Sequence, residues 1–446
     1  MARYLIAVWP ADGHVNPVIP IARKLVQRGH EVVWYCSNLF QEKIERTGAT
    51  FVPFTHLINF SASTLHEHFP KYMELQGLRK FKWGVRNIIA GTMEGFDRDL
   101  ADIRQQFEPD VLVICPTFTG ILPLRRRGDT IKTVCIGMLP LSITGKDTAP
   151  FGLGIPPVDT PLGRFRNQLL NFLVQKVVFR HEQQHFNGIL NRLGLPKLEH
   201  WVFDAVVHYS DLYLQGTCPS FEYPNRNFPA NIRFVGPFNL TTTPTDYELP
   251  SWWNELETAK KVVLVTQGTL ANTDFSQLLL PTIQALANQD VLVIATTGHK
   301  PLPPLPFALP DNVRIEPFIP YSLLMPHLDL MVTNAGYGGV HYAIAYGVPL
   351  MVWGKSEDKS EVSARVEWSG IGINLKTNKV TPEHISAGAR RIFGDSRYKE
   401  QVTRMQQEAA TYDAYALSVQ YLEKIAPSPS ASSASEQAPA EVFSMV

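Results

Sequence analysis

The 446-residue chain is poor in cysteine: it has four, Cys36, Cys115, Cys135 and Cys218, with no CxxC pair among them. That scarcity excludes a disulfide scaffold and a structural zinc ribbon, and it suits a reducing compartment. There is no surplus of either charge. Lys+Arg and Asp+Glu both number 41, so the formal net charge is zero and neither nucleic acid nor an acidic polymer is expected as a partner. No apolar run reaches the roughly 18 residues of a membrane span, and no repeat recurs at a fixed period. The chain opens directly on a strand, Tyr4 to Val8, without the pattern of a signal peptide. The expectation is a cytoplasmic enzyme without a transmembrane segment.

What is present is an alternation of short apolar runs, loops and amphipathic stretches, repeated in both halves. Tyr4–Trp9 reads as a central strand, Pro10–Pro17 as its loop, and a helix from about Pro17 ends at Gly29. Further strands are expected over Glu31–Tyr35, Thr50–Pro53, Val111–Cys115, Thr133–Gly137, Asp211–Gln215 and Ile232–Val235. A second set follows over Lys261–Thr266, Val291–Thr296, Leu330–Val332 and Pro349–Trp353. Phe60–Phe107 reads as mostly helical and Arg164–Leu193 as a long helix or helix pair. The pattern predicts an α/β protein with two Rossmann-like, doubly wound domains. Their expected bounds are 1–238 and 260–410, joined by a linker over 239–259 with a Thr/Pro-rich centre. A last helix over 411–425 and a disordered Ser/Ala/Pro-rich tail over 426–446 complete the chain.

The most informative stretch is Val313–Leu375. It holds Phe318-Ile319-Pro320, a strand ending in Thr333-Asn334-Ala335-Gly336-Tyr337-Gly338-Gly339, then Gly347-Val348-Pro349, then Asp358-Lys359. A strand, a glycine-rich turn and a helix N-terminus make an anion site, because free N–H groups point outward and the helix dipole favours negative charge. In order and spacing this stretch resembles the donor-binding signature of the UDP-glycosyltransferase superfamily. Asn334 stands where many members have His, and Lys359 where many have Gln; both variants resemble a microbial branch.

The loop after a first parallel strand is a ligand position, and His14 lies there. The residue type alone leaves two readings open: a general base titrating near neutral pH, or a loop histidine bonded to backbone. Gly13-His14-x-x-Pro17 resembles the family motif in which that histidine is the base.

The resemblance implies the GT-B fold and an inverting transfer of sugar from a nucleotide diphosphate sugar, by expectation a UDP-sugar, to a hydroxyl of a small lipophilic acceptor. It implies donor contacts from Gly268, Thr269, Phe318, Ile319, Asn334, Gly336, Tyr337, Gly338, Gly339, Asp358 and Lys359. Phe318 would stack on the base, and Asp358 would accept from sugar hydroxyls. Gly13, Cys115, Thr117, Phe118 and Phe151 are expected on the acceptor side, and His341 is read as structural. No metal and no cofactor beyond the co-substrate is expected. In the family a carboxylate orients the base; Cys115 occupies that position here, so no carboxylate is expected on His14. Two rival readings are a non-catalytic nucleotide-sugar-binding protein and a nucleotide-sugar epimerase.

Overall fold

Among the described residues, thirteen short strands, rich in β-branched residues and almost all buried, cannot face water on either side, so helices must cover both faces of their sheets. The computed structural model describes residues 1–224, 228–238, 247–268, 272, 274–354 and 358–427. In the N-terminal half the strands are β1 (Arg3–Ala7), β2 (Glu31–Cys36), β3 (Thr50–Pro53), β4 (Val111–Ile114), β5 (Lys132–Gly137), β6 (Leu212–Gln215) and β7 (Ile232–Phe234). They form one parallel sheet in the order β3-β2-β1-β4-β5-β6-β7. In the C-terminal half β8 (Val262–Thr266), β9 (Leu292–Thr296), β10 (Val313–Glu316), β11 (Leu330–Thr333), β12 (Leu350–Val352) and β13 (Gly372–Asn374) form a second parallel sheet, ordered β10-β9-β8-β11-β12-β13.

Each sheet reverses its winding once, between β1 and β4 and between β8 and β11. A crevice opens at the carboxyl ends of such a strand pair because the flanking connections run to opposite faces. The N-terminal crevice is therefore bounded by the segments after Ala7 and Ile114, and the C-terminal one by those after Thr266 and Thr333.

The last helix, Ala414–Ile425, packs against the N-terminal core through Tyr415, Val419 and Leu422. Glu423 at its end accepts hydrogen bonds from Arg28 Nε at 2.7 Å and Nη2 at 3.0 Å and lies 2.9 Å from His30 Nε2. The segment after β6 goes the other way: Cys218 and Phe221 are buried in the C-terminal core. The interdomain linker centre, Asn239 to Asp246, and the tail beyond Pro427 lie outside the described residues.

Candidate active site

On the C-terminal side the crevice is built largely of backbone. The helix Tyr337–Ala345 starts at Gly336 with no side chain capping its first N–H groups, so they stay available to an anion. None of Gly336, Gly338 and Gly339 takes a left-handed conformation; the residue that does is Ala335, with φ of 62°. A Cβ on Gly338 would meet nothing within 4 Å. Neither strain nor crowding within the chain therefore calls for glycine at 338, and close approach by a ligand is the remaining physical reason for its use. Asn334 ties the two loops of the crevice together: its Nδ2 donates to the carbonyl of Gln267. Gly268, the next residue, has φ of 70°, and its N–H donates to Thr266 Oγ1 at 3.3 Å. Thr269 lies outside the described residues.

Phe318 is exposed and stacks on His299, with ring centroids 5.2 Å apart and planes 20° off parallel. His299 was not singled out in the sequence; it follows β9 while Phe318 follows β10, and only the sheet order makes them neighbours. Ile319 is buried. Asp358 stands just before the helix Lys359–Trp368, with no side-chain capping bond to it, and Lys359 is buried at its first position, packed near Gly354.

The Tyr337 side chain is engaged elsewhere. Its ring is buried away from the glycine turn, and its hydroxyl accepts a 2.7 Å bond from Gln215 Nε2 of β6. Any donor contact at 337 falls to its backbone. One turn on, His341 Nδ1 lies 2.8 Å from the Tyr337 carbonyl and Nε2 lies 2.7 Å from Thr217 Oγ1. A carbonyl only accepts, so Nδ1 carries the proton and Nε2 accepts from the Thr217 hydroxyl. Burial lowers the His341 pKa from 6.5 to about 4, so it is neutral as well as structural.

On the N-terminal side single side chains dominate. His14 sits in a short helical turn, Asp12–Val15, and the longer helix begins only at Ile19, later than the proline at 17 suggested. The residue is partly exposed, yet its Nδ1 is enclosed and has no hydrogen-bond partner. Burial lowers its pKa from 6.5 to about 4, with no charged neighbour contributing. Asp12, the acid nearest in sequence, accepts instead from Lys43 Nζ at 2.8 Å. Gly13 is exposed with open space around it, and Thr117 and Phe151 are half-buried.

Cys115 and Phe118, expected on the acceptor side, lie behind the surface of the crevice. Both have no exposed surface. The Cys115 sulfur accepts from the Trp9 N–H at 3.2 Å, so it stitches β4 to β1, and burial raises its thiol pKa. Phe118 packs on Phe96 with centroids 4.6 Å apart. Both shape the wall of the crevice from behind. An Asp-x-Asp run, Asp97-Arg98-Asp99, is present but spent on structure. Asp97 is ion-paired with Arg127, and Asp99 accepts from Tyr35, Thr55 and His56. Among the described residues no cluster of acids, histidines or cysteines could hold a metal.

The halves meet through buried charge. Arg365 donates through Nε to Glu222 at 2.6 Å and through Nη1 to Glu361 at 2.8 Å, and stacks 4.0 Å over the Tyr223 ring. Burial alone would lower its pKa, but Glu222 and Glu361 hold the guanidinium above its ordinary range. The other Glu361 oxygen accepts from the N–H groups of Gly152 and Gly154, both at 2.8 Å, and Ser360 Oγ donates to the Gly152 carbonyl at 3.0 Å. The loop Thr148–Gly154, which carries Phe151, is thus bolted to the helix that begins at Lys359.

Residues 281–424 match the model of the C-terminal domain of erythromycin biosynthesis protein CIII-like proteins. The chain is 43% identical over 423 residues to 4'-demethylrebeccamycin synthase of Lentzea aerocolonigenes, covering 95% of this chain and 99% of that protein. The chain belongs to the UDP-glycosyltransferase superfamily. It is also 31% identical to UDP-glycosyltransferase 2 of Phaeomoniella chlamydospora, with 92% of each chain covered. The glycotransferase of kitacinnamycin superposes with a TM-score of 0.74 at 18% identity, over 96% of this chain and 99% of that one, which identifies the fold as GT-B. As a member of the superfamily, the chain is a glycosyltransferase of the small-molecule type.

Proposed function

We propose that the enzyme moves a sugar, with inversion, from a UDP-sugar to an acidic hydroxyl of a small lipophilic acceptor, with His14 as general base. The observation that carries this is His14 itself. It stands at the switch point of the N-terminal sheet, neutral and without a partner on Nδ1. A neutral imidazole has one nitrogen free to take the acceptor proton. The acceptor oxygen attacks the anomeric carbon as the bond from that carbon to the diphosphate oxygen breaks. The diphosphate leaves with its charge, stabilised by the N–H groups at the start of the helix Tyr337–Ala345. In-line attack places the new bond opposite the old one, hence inversion.

A base with a pKa of about 4 is weak, which favours an acceptor whose own proton is easily lost, such as a phenol. No described carboxylate pairs with His14 to strengthen it. Phe318 supplies the base-stacking surface, and Asp358 an acceptor for sugar hydroxyls. Four free, buried thiols support a cytoplasmic setting.

The test is a panel of UDP- and dTDP-sugars screened by thermal stabilisation. The best donor is then incubated with phenolic and aliphatic acceptors, and the product anomer is read by NMR. Transfer to phenols with inverted configuration is expected. Retention of configuration, or faster transfer to aliphatic alcohols, would sink the reading.

A further inference from the structure

The helix Pro161–Leu173, continued by the π-helical turn Val174–Val178, is inside out. A surface helix ordinarily buries an apolar stripe and shows a polar one. Here the inward stripe is polar. Arg164 Nε donates to Asp147 at 2.7 Å, and Asn167 Nδ2 to the Lys146 carbonyl at 3.2 Å. Asn171 Nδ2 donates to the carbonyls of Gly145 at 3.1 Å and Thr148 at 3.3 Å, and Gln175 Nε2 to Thr144 Oγ1 at 3.0 Å. The segment 144–148 has no ladder to satisfy its carbonyls, and this helix supplies the donors.

The opposite stripe is left outside: Leu162, Phe165, Leu169, Phe172, Leu173 and Val177, with exposures of 78, 64, 49, 58, 40 and 61%. The neighbouring helix Gly77–Gly84 extends the surface. Its Phe81 packs on Phe179 with centroids 5.7 Å apart, and its Leu78 is also exposed.

The charge carried by the two segments of this face is of one sign, in a chain whose net charge is zero. Residues 75–93 contain Arg79, Lys80, Lys82 and Arg86 and no acid; residues 160–181 contain Arg164, Arg166, Lys176 and Arg180 and no acid. Buried Glu182 lies 3.6 Å from Lys82 and 3.4 Å from Arg86, and Asp147 and the exposed Asp159 take Arg164. Arg79, Lys176 and Arg180 remain exposed.

We propose that this face docks on an anionic lipid surface. Phe165, Leu169 and Phe172 enter the boundary between headgroups and acyl chains, and the cations meet lipid phosphates. A second copy of the chain fits less well, because it would bring like charges together. No described helix is long and apolar enough to cross a membrane, so the contact is peripheral.

Co-sedimentation with vesicles tests this. The wild-type protein is expected to pellet with phosphatidylglycerol/phosphatidylcholine vesicles, less so in high salt, and weakly with phosphatidylcholine alone. Phe165→Ser with Phe172→Ser lowers binding by about tenfold or more. Lys176→Glu with Arg180→Glu removes the preference for anionic vesicles while leaving the apolar face intact. Both pairs melt with the wild type, because the altered side chains are exposed. The proposal falls if the wild type ignores anionic vesicles, or if either pair binds as the wild type does. It also falls if light scattering shows a wild-type dimer that Phe165→Ser with Phe172→Ser dissociates, which would make the face an interface between copies.

Discussion

The two crevices solve different problems with different materials. The C-terminal one is made of main chain: a glycine turn, an uncapped helix start and one side chain, Asn334, tying the turn to the Gln267 carbonyl. The N-terminal one rests on single side chains: His14 with an unpartnered Nδ1, and Cys115 holding β4 to β1. Backbone cradles depend on the space left by absent side chains. A base depends on one ring and its surroundings. Substitution should therefore break the first by adding atoms and the second by removing them.

The largest effect expected is from His14→Ala. Transfer falls by about 10²–10⁴-fold, the usual contribution of a general base, while UDP affinity stays put; single-turnover rates and calorimetric titration read the two separately. Next is Gly338→Val, which fills the open space at the helix start and weakens UDP binding by about tenfold or more, because phosphate can no longer reach the N–H groups. Unchanged UDP affinity would remove the diphosphate from that turn.

The comparison sharpens with pH. With the His14 pKa lowered to about 4 by burial, the acid limb of kcat/KM lies near pH 4, below the ordinary histidine range. Cys115→Asp moves that limb upward if the carboxylate reaches His14, at some cost in stability because position 115 is fully buried. His341 titrates in the same window. Its folded pKa of about 4 lies below the unfolded 6.5, so between these values the unfolded chain binds more protons. Stability present above pH 6.5 is lost as pH falls toward 4. Melting curves across that range should show the decline, and His341→Asn should lessen it, the share from His14 remaining. The smallest effect is from Lys359→Gln, which reorders donor preference more than acceptor preference; identical donor ranking in both proteins would contradict it.

The sheets were largely readable because buried parallel strands are continuous apolar runs bounded by glycine and proline. Thr50–Pro53 was placed to the residue, and Val262–Thr266 and Leu292–Thr296 to within one. The glycine turn was readable too, as the break between a buried strand and the helix that follows it. Side-chain direction was not. Nothing in the motif says that Tyr337 turns toward Gln215 or that Phe118 packs inward on Phe96. The turn Asp12–Val15 has no periodicity to announce a helix. Glu222 and Arg365 stand 143 residues apart, and only the finished fold brings them together. The spacing within 161–178 shows an amphipathic helix but not which stripe is buried. That was decided by the unsatisfied carbonyls of 144–148.

The seam between the halves bears on protein engineering. Hybrid enzymes that graft one parent's acceptor half onto another's donor half cut between Glu222 and Arg365. The grafted pair must then be complementary at a buried charge that neither half contains alone. A hybrid that brings Arg365 without Glu222 leaves the buried guanidinium with one of its two counter-charges gone, and one that brings Glu222 without Arg365 leaves a buried carboxylate without its cation, at about 3–5 kcal/mol. Gln215 with Tyr337, and Thr217 with His341, impose the same matching in weaker form. Moving these partners together, as one cassette, is what should let a hybrid fold.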